Sequence, residues 1–292
     1  MGAGRRETVV LDLREEVGRE GVDIGETGGL SAEERGAAVR NWRDRMVSEH
    51  ASARVFAGMF DRLLRAGVKR RYLEMARAGI EEEMEHAVLC GRVLAALGEE
   101  AVAEMPELPQ VERHEDASPI EAVLRDAISI GACSETVAVA LVGAEREQAG
   151  SEGLRRVLDR ILKDEIGHAR LGWKLLDELL PRVNAGERRR LSAYLVAAFE
   201  HQIAFHSPFV DWPAMSDRGV AFGAPDGPAN FRVFVETMTG VTVPGLAQRG
   251  LLAETAWGLA LEGVQARARE GGQAKVGNGG RALGCGVGLA GG

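Results

Sequence analysis

Apolar residues recur at helical spacing along most of this chain, and the breaks between runs fall at glycine and proline. Ser31 opens the first run, with Glu34 three residues on to complete a capping box. Trp42, Met46, Ala53, Phe56, Ala57, Phe60, Leu63 and Leu64 carry the apolar or small stripe to a stop near Gly67. A second helix is predicted over 69–97, ending at Gly98. Residues 99–118 hold Pro106, Pro109 and many acids, and read as a long connection. Ser118 followed by Pro119 and Glu121 is the next start signal, an N-cap with proline at the first helical position. That third helix runs to about 148. Gly150 and Ser151 separate it from a fourth, 152–180, which stops at Pro181. A fifth follows Asn184, with Leu191, Leu195, Phe199, Ile203 and His206 along one stripe, and closes at Pro208. Residues 209–228 read as loop, and two shorter helices are predicted near 230–239 and 246–268.

The ends lack this period. Residues 1–30 are rich in Gly, Glu and Arg around one short apolar run, Val9-Val10-Leu11, and are expected to be a flexible arm. Residues 269–292 are glycine-rich and are expected to be a disordered tail. The division is therefore an arm (1–30), a helical domain with a C-terminal helical extension (31–268) and a tail (269–292). The fold class is all-α.

Within the second and fourth helices one pattern occurs twice. Glu83-Met84-Glu85-His86-Ala87 and Glu165-Ile166-Gly167-His168-Ala169 both read Glu-x-x-His-Ala. The likeness extends to Leu89, Arg92, Val93, Leu94 and Leu97, which match Leu171, Lys174, Leu175, Leu176 and Leu179 at a constant offset of 82. This is an internal repeat of a helix. Residues three apart share a helix face, so each copy presents a carboxylate beside an imidazole. Only six histidines occur in the chain, and two of them fall here.

Composition narrows the setting. With 45% apolar residues among 292 the chain can bury a sizeable core, and aromatics at 5% suit helix-on-helix packing. A net charge of −8 argues against a nucleic-acid surface, which needs clustered positive charge. Three cysteines without a Cys-x-x-Cys pair give neither a disulfide framework nor a zinc ribbon. The first thirteen residues hold no apolar core of signal-peptide length. The most apolar stretch, near 136–144, is shorter than the ~20 residues of a membrane span. A soluble, cytoplasmic protein is expected, with neither nucleic acid nor membrane as a partner.

Two further acids stand out. Ser48-Glu49 on the first helix and Ser134-Glu135 on the third share a context. Glu49 lies on the inner stripe with Ala53 and Phe56. Glu135 interrupts Ile128 to Cys133 and Thr136 to Leu141, and a lone carboxylate amid so much apolar sequence costs several kcal/mol to bury unless it is paired or bound to a metal. The intervals agree: 34 residues from Glu49 to Glu83 and 30 from Glu135 to Glu165 each fit a helical hairpin. The connection of about 20 residues between hairpins can reach about 66 Å, more than the ~45 Å of a 30-residue helix, so it can run the length of the bundle. A single Glu-x-x-His is usually a solvated pair; two copies facing two glutamates of buried context reverse that preference. Glu81, Glu82 and Glu85 read as a solvated acidic edge. Cys90 and Cys133 read as apolar fillers, and His206 as a core or capping histidine rather than a seventh ligand. Glu200 and His201 are weaker candidates for residues behind the ligands, and Trp42, Trp173 and Trp257 read as core.

Two Glu and two Glu-x-x-His on four helices with one long crossover is the plan of the ferritin-like di-iron carboxylate proteins. Over about residues 31–182 the chain resembles that superfamily. The resemblance implies a ferritin-like four-helix bundle with additional C-terminal helices and a site of Glu49, Glu83, His86, Glu135, Glu165 and His168. Glu49 and Glu135 would be terminal or bridging carboxylates, Glu83 and Glu165 would bridge two ions, and each histidine would bind one. Carboxylate and imidazole donors suit two iron ions, Fe/Fe or Mn/Fe. Departures narrow the resemblance: no cysteine-rich module as in rubrerythrin, and a chain longer than ferritin subunits. Cys90 stands where ribonucleotide reductase small subunits place a tyrosine. Ile161 replaces the extra histidine of arylamine N-oxygenases, and Val139 the threonine common in multicomponent monooxygenases. The expectation is an oxidoreductase, a di-iron oxygenase or oxidase using O₂, an external electron donor and a small organic or acyl substrate; a homodimer is compatible with it. Its rivals are a ferroxidase, iron-storage or peroxide-detoxifying ferritin-like protein, and a metal-free helical scaffold.

Overall fold

The computed structural model describes residues 9–274 except 19 and 108–110, and side chains as far as 267. Those residues are mostly helical. The long elements are α2 (Ala32–Arg65), α3 (Arg70–Ala96), α6 (Glu152–Leu179) and a continuous helix of three parts. The parts are α4 (Pro119–Asp126), a π-helical segment Ala127–Glu135, and α5 (Thr136–Gln148). Start signals in the sequence act as expected. The Ser31 hydroxyl accepts from the Glu34 N–H while the Glu34 carboxylate accepts from the Ser31 N–H. The Ser118 and Ser151 hydroxyls cap α4 and α6 by accepting from the Glu121 and Leu154 N–H groups.

α2 packs on α3, α3 on α6, α6 on the continuous third helix, and α4 closes back on α2. Contacts fix the directions. Tyr72 at the start of α3 donates to Glu178 at the end of α6, so these two helices are antiparallel. Arg45 pairs with Glu145, and Arg62 with Asp126, so α2 runs antiparallel to the third helix. At the outside, α7 (Ala185–His206) lies along α4 and the π-helical segment and α9 (Gly227–Thr237) along α5, with α10 (Val243–Gln248) and α11 (Ala253–Ala274) packed beside them.

The apolar core is split in two. One cluster holds Phe56, Met59 and Leu63 of α2, Tyr72 and Ala76 of α3, Val123 to Val137 of the third helix, and Leu171 to Leu179 of α6. The other holds Trp42 and Met46 of α2, Ala87 to Leu97 of α3, Val142, and Leu154 to Ile161 of α6. On α2, α3 and α6 the gap between the clusters is where Glu49, Glu83 and His86, and Glu165 and His168 stand, while on the third helix Glu135 sits at the edge of the first cluster, between Cys133 and Val137. The polar belt is thus mid-bundle, sealed by apolar packing above and below.

Several expectations change. The described part of the stretch expected to be a flexible arm is anchored. Val10–Asp12 (β1) pairs antiparallel with Val102–Glu104 (β2) of the crossover, α1 (Arg14–Val17) follows, and Leu11, Leu13, Val17 and Ile24 are buried. A three-residue strand is too short to show a period, and its partner lies some ninety residues away. The loop expected over 209–228 contains the short helix α8 (Asp217–Ala221). The single helix expected over 246–268 is broken by Gly250, whose φ of +78° only glycine adopts without strain, and α11 continues to Ala274 into the stretch expected to be tail. Residues 275–292 lie outside the described part. The helix Pro119–Gln148 is long and apolar enough by composition to cross a membrane, contrary to the estimate from its most apolar stretch. It carries buried Glu121, Asp126 and Glu135 and packs on α6 and α7, as a core helix does.

Candidate metal centre

All six residues singled out in the sequence meet in the belt. Two overlapping groups form, each able to hold a cation: Glu49, Glu83, His86 and Glu165, and Glu83, Glu135, Glu165 and His168, with the ligand atoms of each group within 4.8 Å of one another. Glu83 and Glu165 belong to both. The sharing follows from the repeat: antiparallel α3 and α6 bring the two Glu-x-x-His faces together, each glutamate lying toward the other helix's histidine.

Distances show how the imidazoles are aimed. His86 Nδ1 lies 3.5 Å from Glu49, 3.4 Å from Glu165 and 3.9 Å from Glu83. His168 Nδ1 lies 3.2 Å from Glu83, 3.4 Å from Glu165 and 3.9 Å from Glu135. Neither Nδ1 has a hydrogen-bond partner, nor has one oxygen of Glu83 or of Glu165, and all four atoms are buried. Buried polar atoms are nearly always satisfied, and each orphan costs about 1–3 kcal/mol. Four converging orphans, two nitrogen and two oxygen, have the donor chemistry of a site for a divalent cation.

Electrostatics point the same way. Burial, and then the charge of Glu165, push Glu83 and Glu135 well above the usual carboxylate range. Burial also acts to raise Glu165, but the adjoining His168 and His86 outweigh it and hold Glu165 low. Burial alone would depress His86, yet Glu165 and Glu49 against its ring raise it to about 11, and His168 is raised as well. Without a cation the belt can therefore keep its charge only by holding extra protons.

Each outward Nε2 is braced across the helix pair. His86 Nε2–H donates to Asp164 of α6 at 3.2 Å, and His168 Nε2–H donates to Glu82 of α3 at 3.0 Å. A carboxylate behind a histidine fixes its tautomer and raises its basicity. Glu82 is thus not part of a solvated edge, and Glu85 is engaged too, accepting from Arg160 at 2.6 Å. The sequence did carry a signal for this pair: Glu82 and Asp164 both precede the ligand glutamate, at the same offset of 82.

Glu135 is the last residue of the π-helical segment. Widening the turn there frees backbone carbonyls, which hydroxyls take up: Ser134 donates to the Ser129 carbonyl, Thr136 to Gly131 and Thr242 to Ala132. Gly131 and Gly172 let this segment touch α6 backbone to backbone; a Cβ on either would collide with the other chain segment. Near the belt, Cys90 and Cys133 are buried free thiols pushed up by burial, unlike a thiolate ligand. His206 stacks on Phe234 at 4.3 Å in the apolar core, and burial lowers it to about 3. Glu200 pairs with Arg267. Among the described residues none of Glu200, His201 and His206 joins a cation-holding group. No protein-family model matches the chain, and no curated protein matches it significantly.

Proposed function

We propose that the chain is a ferritin-like di-iron carboxylate oxidoreductase, an oxygenase or oxidase that uses O₂, two electrons from an external donor and a small organic or acyl substrate. The observation that carries this reading is the pair of overlapping groups sharing Glu83 and Glu165, with four unpartnered atoms aimed into them. In it, Glu49, Glu83, His86 and Glu165 would hold one ion, and Glu83, Glu135, Glu165 and His168 would hold the other. Four carboxylates would balance the charge of two divalent ions, Fe/Fe or Mn/Fe, and among the described residues neither cation-holding group contains a cysteine, which disfavours soft metals. Such a pair of ions supplies redox equivalents and open coordination positions for O₂.

The residues of this chain contribute geometry and exclusion of water. Asp164 and Glu82 hold the imidazoles in one tautomer with Nδ1 inward. The two apolar clusters keep bulk water from the belt, which strengthens every charge interaction inside it. Glu83 and Glu165 are nearly sealed, whereas Glu49 and Glu135 keep 14% and 11% side-chain exposure. The last two are the carboxylates free to shift as substrate or oxygen enters. Gly131 and Gly172 are taken up by the backbone contact between the third helix and α6, and offer no room for a substrate.

Oxygen uptake tests the reading. Iron-loaded protein with reductant should consume O₂ over repeated turnovers, and faster once a suitable substrate is present. Oxidation of tens to hundreds of Fe(II) per chain into a soluble mineral core would replace this reading with iron storage.

A further inference from the structure

The twin braces behind the histidines are not equivalent. Asp164, which holds His86, is 5% exposed and is neutralised by Arg160, whose Nη1 lies 2.6 Å from it. Arg160 also reaches Glu85, so a guanidinium is built into the support of this imidazole. The other end of the belt differs. Glu82, which holds His168, is 30% exposed, and among the described residues no lysine or arginine is bonded to Glu82 or to Glu135. Arg160 acts on Glu82 only at longer range, so Glu82 stands behind His168 with no directly paired cation.

The consequence for a divalent ion is directional. An unneutralised carboxylate behind a histidine makes the imidazole a stronger donor and attracts the ion. A carboxylate paired with a guanidinium does less of both. Building on the two-ion reading above, we infer that the sites load in order: the position on His168 and Glu135 binds first and tightly, and the position on His86 and Glu49 binds second and more weakly, because Arg160 is paired directly with one brace and no cation is paired directly with the other. Glu82 and Arg160 are thus positioning residues of opposite sign. The order also gives a way to hold two different metals, one ion committed before the other site fills.

The test is a titration of the metal-stripped full chain with Mn(II) under anaerobic conditions, following free Mn(II) by electron paramagnetic resonance. Wild type should bind two ions in two steps separated by at least about tenfold in affinity. Glu82→Gln keeps the shape and the hydrogen bond but not the charge, and should weaken the tighter step about 10- to 100-fold, closing the gap. Glu82→Asp should restore part of it. Arg160→Gln should close the gap from the other side by tightening the weaker step. Circular dichroism and the thermal midpoint confirm that each variant folds. Two ions bound in one class by wild type would overturn the order while leaving the two-ion reading intact. So would a Glu82→Gln chain whose tighter step is unchanged. One ion or none per wild-type chain would overturn the two-ion reading, and the order with it.

Discussion

The apolar clusters and the belt between them are held by opposite rules. In the clusters, Leu63, Leu94, Ile128 and Leu175 are fully buried and stabilise by being out of water, with no partner of particular chemistry required. In the belt, Glu83, His86, Glu135, Glu165 and His168 are as deeply buried, and there burial is a cost that only protons or a cation offset. The same helices carry both, one turn apart. Stability in the clusters is thus independent of metal, whereas the belt is where the chain gives up stability for a site.

The sharpest way to break the comparison is to make the belt apolar. Glu135→Leu removes a ligand and should weaken the cation complex by at least about 100-fold, seen as loss of bound metal on dialysis. The next effect is in the core. Leu94→Ala should cost about 2–5 kcal/mol by chemical denaturation, equally with and without metal. Glu135→Leu measured on the chelated protein should do the reverse and add about 1–3 kcal/mol, since a buried carboxylate no longer needs compensation. If Glu135→Leu destabilises the chelated chain as Leu94→Ala does, the distinction between the two regions fails.

pH sharpens the contrast with a smaller effect. In the chelated protein His86 is raised from an ordinary 6.5 to about 11, and Glu83 and Glu135 are raised as well. A raised group adds stability that is complete below its unfolded value and is lost as pH climbs toward the folded one. The chelated chain should therefore begin to lose thermal stability above about pH 4.5, through Glu83 and Glu135, and go on losing it through His86 from about pH 6.5 toward pH 11. Metal binding needs deprotonated ligands, so the stabilisation gained on adding metal should grow over that range. The smallest change expected is at Cys133, buried in the first cluster two residues before Glu135 and a member of neither ligand group. Cys133→Ser should cost about 1–3 kcal/mol by burying a hydroxyl, with metal content unchanged.

What was legible in the sequence followed the same division. The long helices declare themselves because their period is local and their caps lie within four residues. The six belt residues were found because a repeat at offset 82 duplicates Glu-x-x-His, and because Glu135 stands in an apolar run that makes a carboxylate costly. Glu82 was misread since an acidic run, Glu81 to Glu85, looks solvated from the sequence; only the antiparallel pairing of α3 with α6 shows that it meets His168. Arg160 was missed for the same reason. The π-helical turn before Glu135 depends on hydroxyls and on a contact with Gly172, and Thr242, which supports it, lies over a hundred residues away. β1 is invisible until the crossover lies beside it.

The most direct test counts iron. Full-length protein reconstituted with Fe(II) under anaerobic conditions should hold close to two ions per chain. His86→Ala, which touches one group, should hold about one, and Glu83→Gln, which touches both, should fall below one. Iron content unchanged by both substitutions, or stoichiometric zinc with no uptake of iron, would contradict the shared two-ion centre.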